Sequence, residues 1–250
     1  MSIPRSFFRL IACTVWLAFA TAGADALAAD DDWLDVEGRI QFGFYTEDAR
    51  ALTDLADQLT RGEEAQDPLR QYYAGLANYR LALVVSSRDK GRARAAVEQC
   101  VDSLDAAIKG DTEFAAALAL QSACLRTLSV LKPWKPLAGA KSSGQMEKAV
   151  KLAPKDPRVL MLAALEGGNG DKLDDVSLAK LKKAAAAFEA ERQGVDRTPG
   201  WGAAEVYAYL GRSYLVRGDV LAARDALERA LLIAPDFAMA RRLLAKITAG

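Results

Sequence analysis

From Ala204 to Arg217 the apolar residues Tyr207, Leu210, Tyr214 and Leu215 recur at three and four, the spacing of one stripe along an amphipathic helix. Gly218-Asp219 interrupts the stripe, and Asp219 is placed to cap the helix that follows. A second stripe, Ala223, Leu227, Ala230 and Leu231, predicts a helix from Val220 to Ile233. Pro235 ends it, because proline cannot continue the hydrogen-bond ladder. Gly211 and Ala223 are small where two antiparallel helices must approach, with Tyr214 and Leu227 large beside them. The stretch reads as a helix pair.

Partial copies of this pattern lie upstream. "MEKAVKLAPKDP" (Met146 to Pro157) repeats the end of the second helix, with Ala149 and Pro154 spaced as Ala230 and Pro235 are. "SLDAAIKGDTEF" (Ser103 to Phe114) overlays "ALERALLIAPDF" without a gap, and "YYAGLANY" (Tyr72 to Tyr79) matches a first helix with Leu and Gly reversed. Tyr79 and Leu104 are 25 residues apart, against 13 for Tyr214 and Leu227, so that pair is predicted to be longer. The pattern divides the chain into helix pairs at 31–61, 67–109, 111–153, 156–195 and 200–234, with a last helix at 236–249. In that last helix Met239, Leu243, Leu244 and Ile247 face inward while Arg241, Arg242 and Lys246 face out, as an end cap requires. Phe42, Phe44 and Tyr45 are assigned to the core, and no segment reads as a strand. Two connections are expected, "KPWKPLAGAKSSGQ" (Lys132 to Gln145) around Trp134 and "GGNGDKLDDVS" (Gly167 to Ser177), the latter ending on Ser177 as a cap.

The stretch Ala204–Phe237 resembles a tetratricopeptide repeat on Tyr207, Leu210, Gly211, Tyr214, Ala223, Leu227, Ala230 and Pro235. Tyr stands where that pattern has Trp, and Leu where it has Phe. The resemblance implies an all-α solenoid of stacked antiparallel helix pairs, a right-handed superhelix over residues 29–250 with a capping helix at 236–249. It also implies a concave groove lined by first helices, in which a protein or peptide lies. Carried over by position, the groove residues are Arg70, Tyr73 and Arg80 in the degenerate unit and Glu205, Arg212 and Leu215 in the clear one. The arginines and the tyrosine imply an acidic or carboxylate-bearing ligand held by charge-assisted hydrogen bonds. The Lys and Asn of the family's carboxylate clamp are not reproduced.

Composition narrows the chemistry. Lys plus Arg equals Asp plus Glu at 33 each, so no global field recruits nucleic acid or an anionic membrane. The absence of histidine removes the usual general base and the commonest metal ligand. "GAKSSG" (Gly139 to Gly144) lacks the glycines of a phosphate loop, and "NGDKLDD" (Asn169 to Asp175) lacks the spacing of a calcium loop. The expectation is a non-enzymatic interaction module without cofactor or metal. The rival reading is a small-molecule carrier serving a transporter, which needs an enclosed apolar pocket.

The start of the chain reads as a signal peptide over residues 1–28. Arg5 and Arg9 precede fifteen uncharged, mostly apolar residues from Leu10 to Ala24, and Ala26-Leu27-Ala28 supplies the small residues of a cleavage site. That run is short for a membrane span, which needs roughly 20 residues, so no stable membrane insertion is expected after cleavage near Ala28; the alternative is an uncleaved signal anchor. The location implied is periplasmic. There Cys100 and Cys124, at similar heights on two antiparallel helices, are expected to bridge; the alternative is two buried apolar thiols.

Overall fold

The computed structural model describes residues 33–62, 66–133, 137–169, 172–191 and 200–248. The signal-peptide reading and Trp134 fall outside them. Eleven helices among the described residues run in antiparallel pairs: α1 (Trp33–Tyr45) with α2 (Ala49–Leu59), and α3 (Pro68–Val85) with α4 (Lys90–Gly110). Then come α5 (Ala115–Leu131) with α6 (Leu137–Leu152), α7 (Pro157–Glu166) with α8 (Asp175–Glu191), and α9 (Ala203–Val216) with α10 (Val220–Ile233). α11 (Ala238–Thr248) closes the series. The architecture is an all-α, solenoid-like stack. The long second pair follows from the spacing noted above, at 18 and 21 residues against 14 and 14 for α9 and α10.

Aspartate sets most of the helix starts. Asp48, Asp67, Asp89, Asp156 and Asp219 each accept a hydrogen bond from a backbone N–H of the first turn that follows. This satisfies donors a helix leaves orphaned and places negative charge at the positive end of its dipole. Pro68 and Pro157 follow two of these caps, where the missing N–H is not needed.

Within pairs, a glycine on the first helix meets a leucine on the second. A Cβ on Gly211 would lie 2.6 Å from Leu227 Cγ, and one on Gly75 would lie 2.7 Å from Leu104 Cγ. Gly43 and Leu52 repeat the arrangement at 3.2 Å. The overlay of Leu104 on Leu227 therefore has a physical basis: both fill the notch of a glycine opposite. Cys100 and Cys124 form a disulfide with Cα atoms 6.4 Å apart, tying α4 to α5. In α11, Met239, Leu243, Leu244 and Ile247 pack against the core while Arg241, Arg242 and Lys246 are exposed.

Four expectations are corrected. Leu137–Gln145 is the first half of α6 rather than a connection, because Ser142 is buried there and hydrogen bonds to the Ser122 carbonyl at 3.0 Å. Asp174, not Ser177, starts α8, accepting from Ser177 N at 2.7 Å. Ahead of it lies a minimal antiparallel bridge, β1 (Gly168–Asn169) with β2 (Lys172–Leu173), where no strand was expected. Phe42 is 59% exposed, whereas Phe44 and Tyr45 are buried. The inward stripe of α1 is Val36, Ile40 and Phe44, and Phe42 sits two residues, roughly 200°, away from it.

Candidate functional site

First helices far apart in sequence converge on one interior. Trp201, just ahead of α9, donates its indole N–H to Tyr72 of α3 at 2.7 Å. Arg80 of α3 pairs with Glu205 of α9, and these side chains are 1% and 0% exposed. The Arg80 guanidinium lies 4.2 Å from the Phe44 ring and 4.9 Å from the Trp201 ring, so aromatic faces flank it. Tyr45 donates to the second oxygen of Glu205 at 3.0 Å. A neighbouring pair is bidentate: Arg158 of α7 donates to both oxygens of Glu191 at 2.8 and 2.9 Å.

α1 completes this interior. Both oxygens of Glu37 accept from the Gly200 backbone N–H, at 2.7 and 2.9 Å, and Tyr73 donates to Glu37 at 3.1 Å. Trp33 stacks on Tyr73 with ring centres 5.3 Å apart. Tyr45 packs on Phe237 at 4.6 Å, and Arg242 of α11 reaches Glu47 at 2.5 Å.

Burial sets the protonation behaviour. It raises the Glu37 carboxyl above its ordinary value, against the pull of the Gly200 N–H, the Tyr73 hydroxyl and the Arg158 charge. It raises Tyr45 well above its usual range and pushes Tyr209 up to about 12. For Arg80, burial alone would lower the value, but the Glu205 carboxylate and nearby tyrosines carry it upward. Arg80 is therefore a fixed cation inside the protein.

These positions revise the groove drawn from the resemblance. Arg80 and Glu205 do not face solvent but neutralise each other in the interior. Tyr73 is buried and committed to Glu37. Arg70 caps the end of α2, donating from Nε to the Leu59 carbonyl at 3.1 Å. For Arg80, Glu205 and Tyr73 the physical reason is shared: α1, α3 and α9 approach closely enough for side chains to interlock, so the inner face is filled; Arg70 is drawn instead to the unpaired carbonyls at the end of α2.

Arg212 and Leu215 are placed differently. With Val216, Val220, Leu243, Lys246 and Ile247 they line a groove of about 550 Å³ between α9, the start of α10 and α11. Val216 and Val220 are half exposed there. Arg212 extends along Tyr209, its guanidinium 5.2 Å from the ring. Arg212 and Lys246 edge an apolar floor of Leu215, Val216, Val220, Leu243 and Ile247. Lys246 and Leu243 escaped the sequence reading, which assigned α11 to capping alone. The i, i+3 spacing of Leu243 and Lys246 was the available signal. Glu37 and Trp201 escaped it because their partners lie 163 and 129 residues away.

Among the described residues, no group of three or more His, Cys, Asp or Glu is placed to hold a metal ion, and no helix is long and apolar enough to cross a membrane. No protein-family model matches the chain, and no curated protein sequence matches it.

Proposed function

We propose that this chain is an exported, periplasmic interaction module of tetratricopeptide type, without catalytic activity of its own, that binds a polypeptide segment carrying an acidic side chain or a C-terminal carboxylate. The observation that carries the reading is the groove of Arg212, Leu215, Leu243 and Lys246: an apolar floor edged by two basic side chains. An apolar floor supplies affinity in proportion to the area it removes from water, and the flanking cations select charge and register. The filled inner face supports the same choice, because Arg80 and Glu205 are paired with each other and Tyr73 is committed to Glu37.

The test is a peptide-display selection on the mature full chain, counter-selected on a Leu215→Glu/Lys246→Glu variant. Both substituted residues lie at least partly at the surface, so the fold is expected to survive, as matched melting curves would show. Selected peptides should combine apolar residues with Asp, Glu or a free carboxylate, bind the variant at least tenfold more weakly, and weaken as salt rises. Peptides that bind both proteins equally would place recognition elsewhere. A rise in melting temperature with a metabolite mixture, and none with any peptide, would favour the small-molecule carrier instead. N-terminal sequencing of the exported protein should find Ala29 first; an exported chain beginning at Met1 would mean that the leader is retained as an anchor.

A further inference from the structure

We infer that the outer face of α10 is a pairing surface for a second copy of this chain, with the two α10 helices antiparallel about a two-fold axis. Arg212 and Lys246 take no part in it, and the inference stands apart from the reading above.

The first ground is an exposed apolar frame. Leu221 and Leu232 are 81% and 83% exposed, the highest values of any large apolar side chain among the described residues. They lie on one helix at a separation that brings them within about 20° of the same direction, roughly 16 Å apart along the axis. Single exposed leucines are ordinary. Two that frame one helix face, with charges between them, give that face a length and an orientation. The second ground is the order of those charges. Arg224, Asp225, Glu228 and Arg229 are exposed, and from Leu221 to Leu232 the face reads Leu, Arg, acid, acid, Arg, Leu at steps of three, one, three, one and three. The order is the same from either end.

At about 100° per residue, Arg224 and Glu228 fall on one side of the line through the two leucines, and Asp225 and Arg229 on the other. A copy turned about an axis in the contact plane, perpendicular to the helix, keeps those sides and exchanges the ends. Leu221 then meets Leu232 of the second copy, Arg224 meets Glu228, and Asp225 meets Arg229. Each contact occurs twice, as an isologous interface requires. Within one chain the same charges form two i, i+4 pairs, Arg224 with Glu228 at 3.8 Å and Arg229 with Asp225 at 3.4 Å. Such pairs account for the charges of a solvated helix but not for the leucines that frame them. The third ground is balance. Two arginines and two carboxylates cancel, so a partner of one sign, a nucleic acid or an anionic membrane included, meets like charges on this face, whereas a copy of the face meets opposite ones. A contact one helix long is small, so the pairing is of the weak, concentration-dependent class.

The test is sedimentation of the mature full chain. Its average mass should rise toward that of a dimer between about 10 µM and about 1 mM, the range of such small contacts. The Leu221→Glu/Leu232→Glu variant should stay monomeric over that range with an unchanged melting temperature, because both positions are exposed. An unaltered chain that stays monomeric, or a variant that associates equally well, overturns the inference. Charge reversal decides it a second way. Arg224→Glu/Arg229→Glu and Asp225→Lys/Glu228→Lys should each associate at least tenfold more weakly than the unaltered chain, and their equal mixture should associate at least as tightly as the unaltered chain does. A mixture no better than its components would show that these faces do not meet. Direction is read by cross-linking: Leu221→Cys mixed with Leu232→Cys should form a disulfide-linked dimer at least tenfold faster than either chain alone. Leu221→Cys chains that link to one another faster than to Leu232→Cys chains would refute the antiparallel pairing.

Discussion

Replacing Glu205 by alanine tests whether the inner face is closed in solution. The substitution removes the carboxylate paired with Arg80 and leaves a guanidinium that is 1% exposed between two aromatic rings. It also takes the acceptor from the Tyr45 hydroxyl, which lies 3.0 Å away. Breaking a buried ion pair from one side destabilises by about 3–5 kcal/mol, because the remaining charge stays desolvated without a partner. With a urea slope near 2.5 kcal/mol/M, the unfolding midpoint should fall by roughly 1.5 M. Arg80→Met should act similarly from the other side. The double variant Arg80→Met/Glu205→Leu should recover to within about 1–2 kcal/mol of the unaltered protein, since removing both charges removes both desolvation penalties. Arg212→Ala, at a partly exposed site, should move stability by no more than about 0.5 kcal/mol. Urea denaturation of the four proteins, followed by circular dichroism, supplies the cycle. Single substitutions that each shift stability by less than about 1 kcal/mol, or a double variant equal to their sum, would mean that water reaches the pair and the groove stands open.

Other outcomes follow from particular contacts. Reducing Cys100–Cys124, which closes a loop of sequence separation 24, should lower stability by about 3.5 kcal/mol in the chain-entropy treatment; an unchanged melting temperature with reductant, together with two thiols reactive beforehand, would refute the bridge. Gly211→Ala should destabilise by about 1–3 kcal/mol, because its Cβ would press on Leu227 Cγ at 2.6 Å and on the Ala223 carbonyl oxygen at 3.2 Å. Gly144→Ala in α6 meets nothing within 4 Å and should stabilise by about 1 kcal/mol; paired melting curves check both signs. The raised Glu37 carboxyl means the folded state binds its proton more readily than the unfolded state does, so the favourable contribution is complete below the ordinary value of 4.5 and is lost as pH rises through the folded-state value. Stability relative to Glu37→Gln should therefore decline as pH is raised from 4 to 7, and a flat difference would show that Glu37 titrates as it does in solvent.

Helix placement was legible in the sequence because its causes are local. Asp219 and Pro235 bracket α10, the pair expected from residue 67 opens with α3 at Pro68, and the overlay of Leu104 on Leu227 marked equivalent positions in α4 and α10, though not the glycine each one meets. Cys100 and Cys124 could be paired because height along two adjacent helices is a matter of counting residues. Each of these depends on a turn of helix or on one antiparallel neighbour. Leu137–Gln145 was misread since its two glycines and two serines imitate a loop, and what makes it helical is Ser142 reaching Ser122 on the facing helix.

The inner face belongs to the other kind of fact. Polarity along a helix reports which positions avoid an apolar core, and by that measure Arg80, Glu205 and Glu37 read as solvent positions. They are buried because charges and donors that cancel them arrive from 125 and 163 residues away. No periodicity encodes such a meeting, since an ion pair satisfied in the interior and two charges satisfied by water have the same local pattern. Only the packing of α1 and α3 against the start of α9 decides between them, because the desolvation of each charged group is offset by its partner alone.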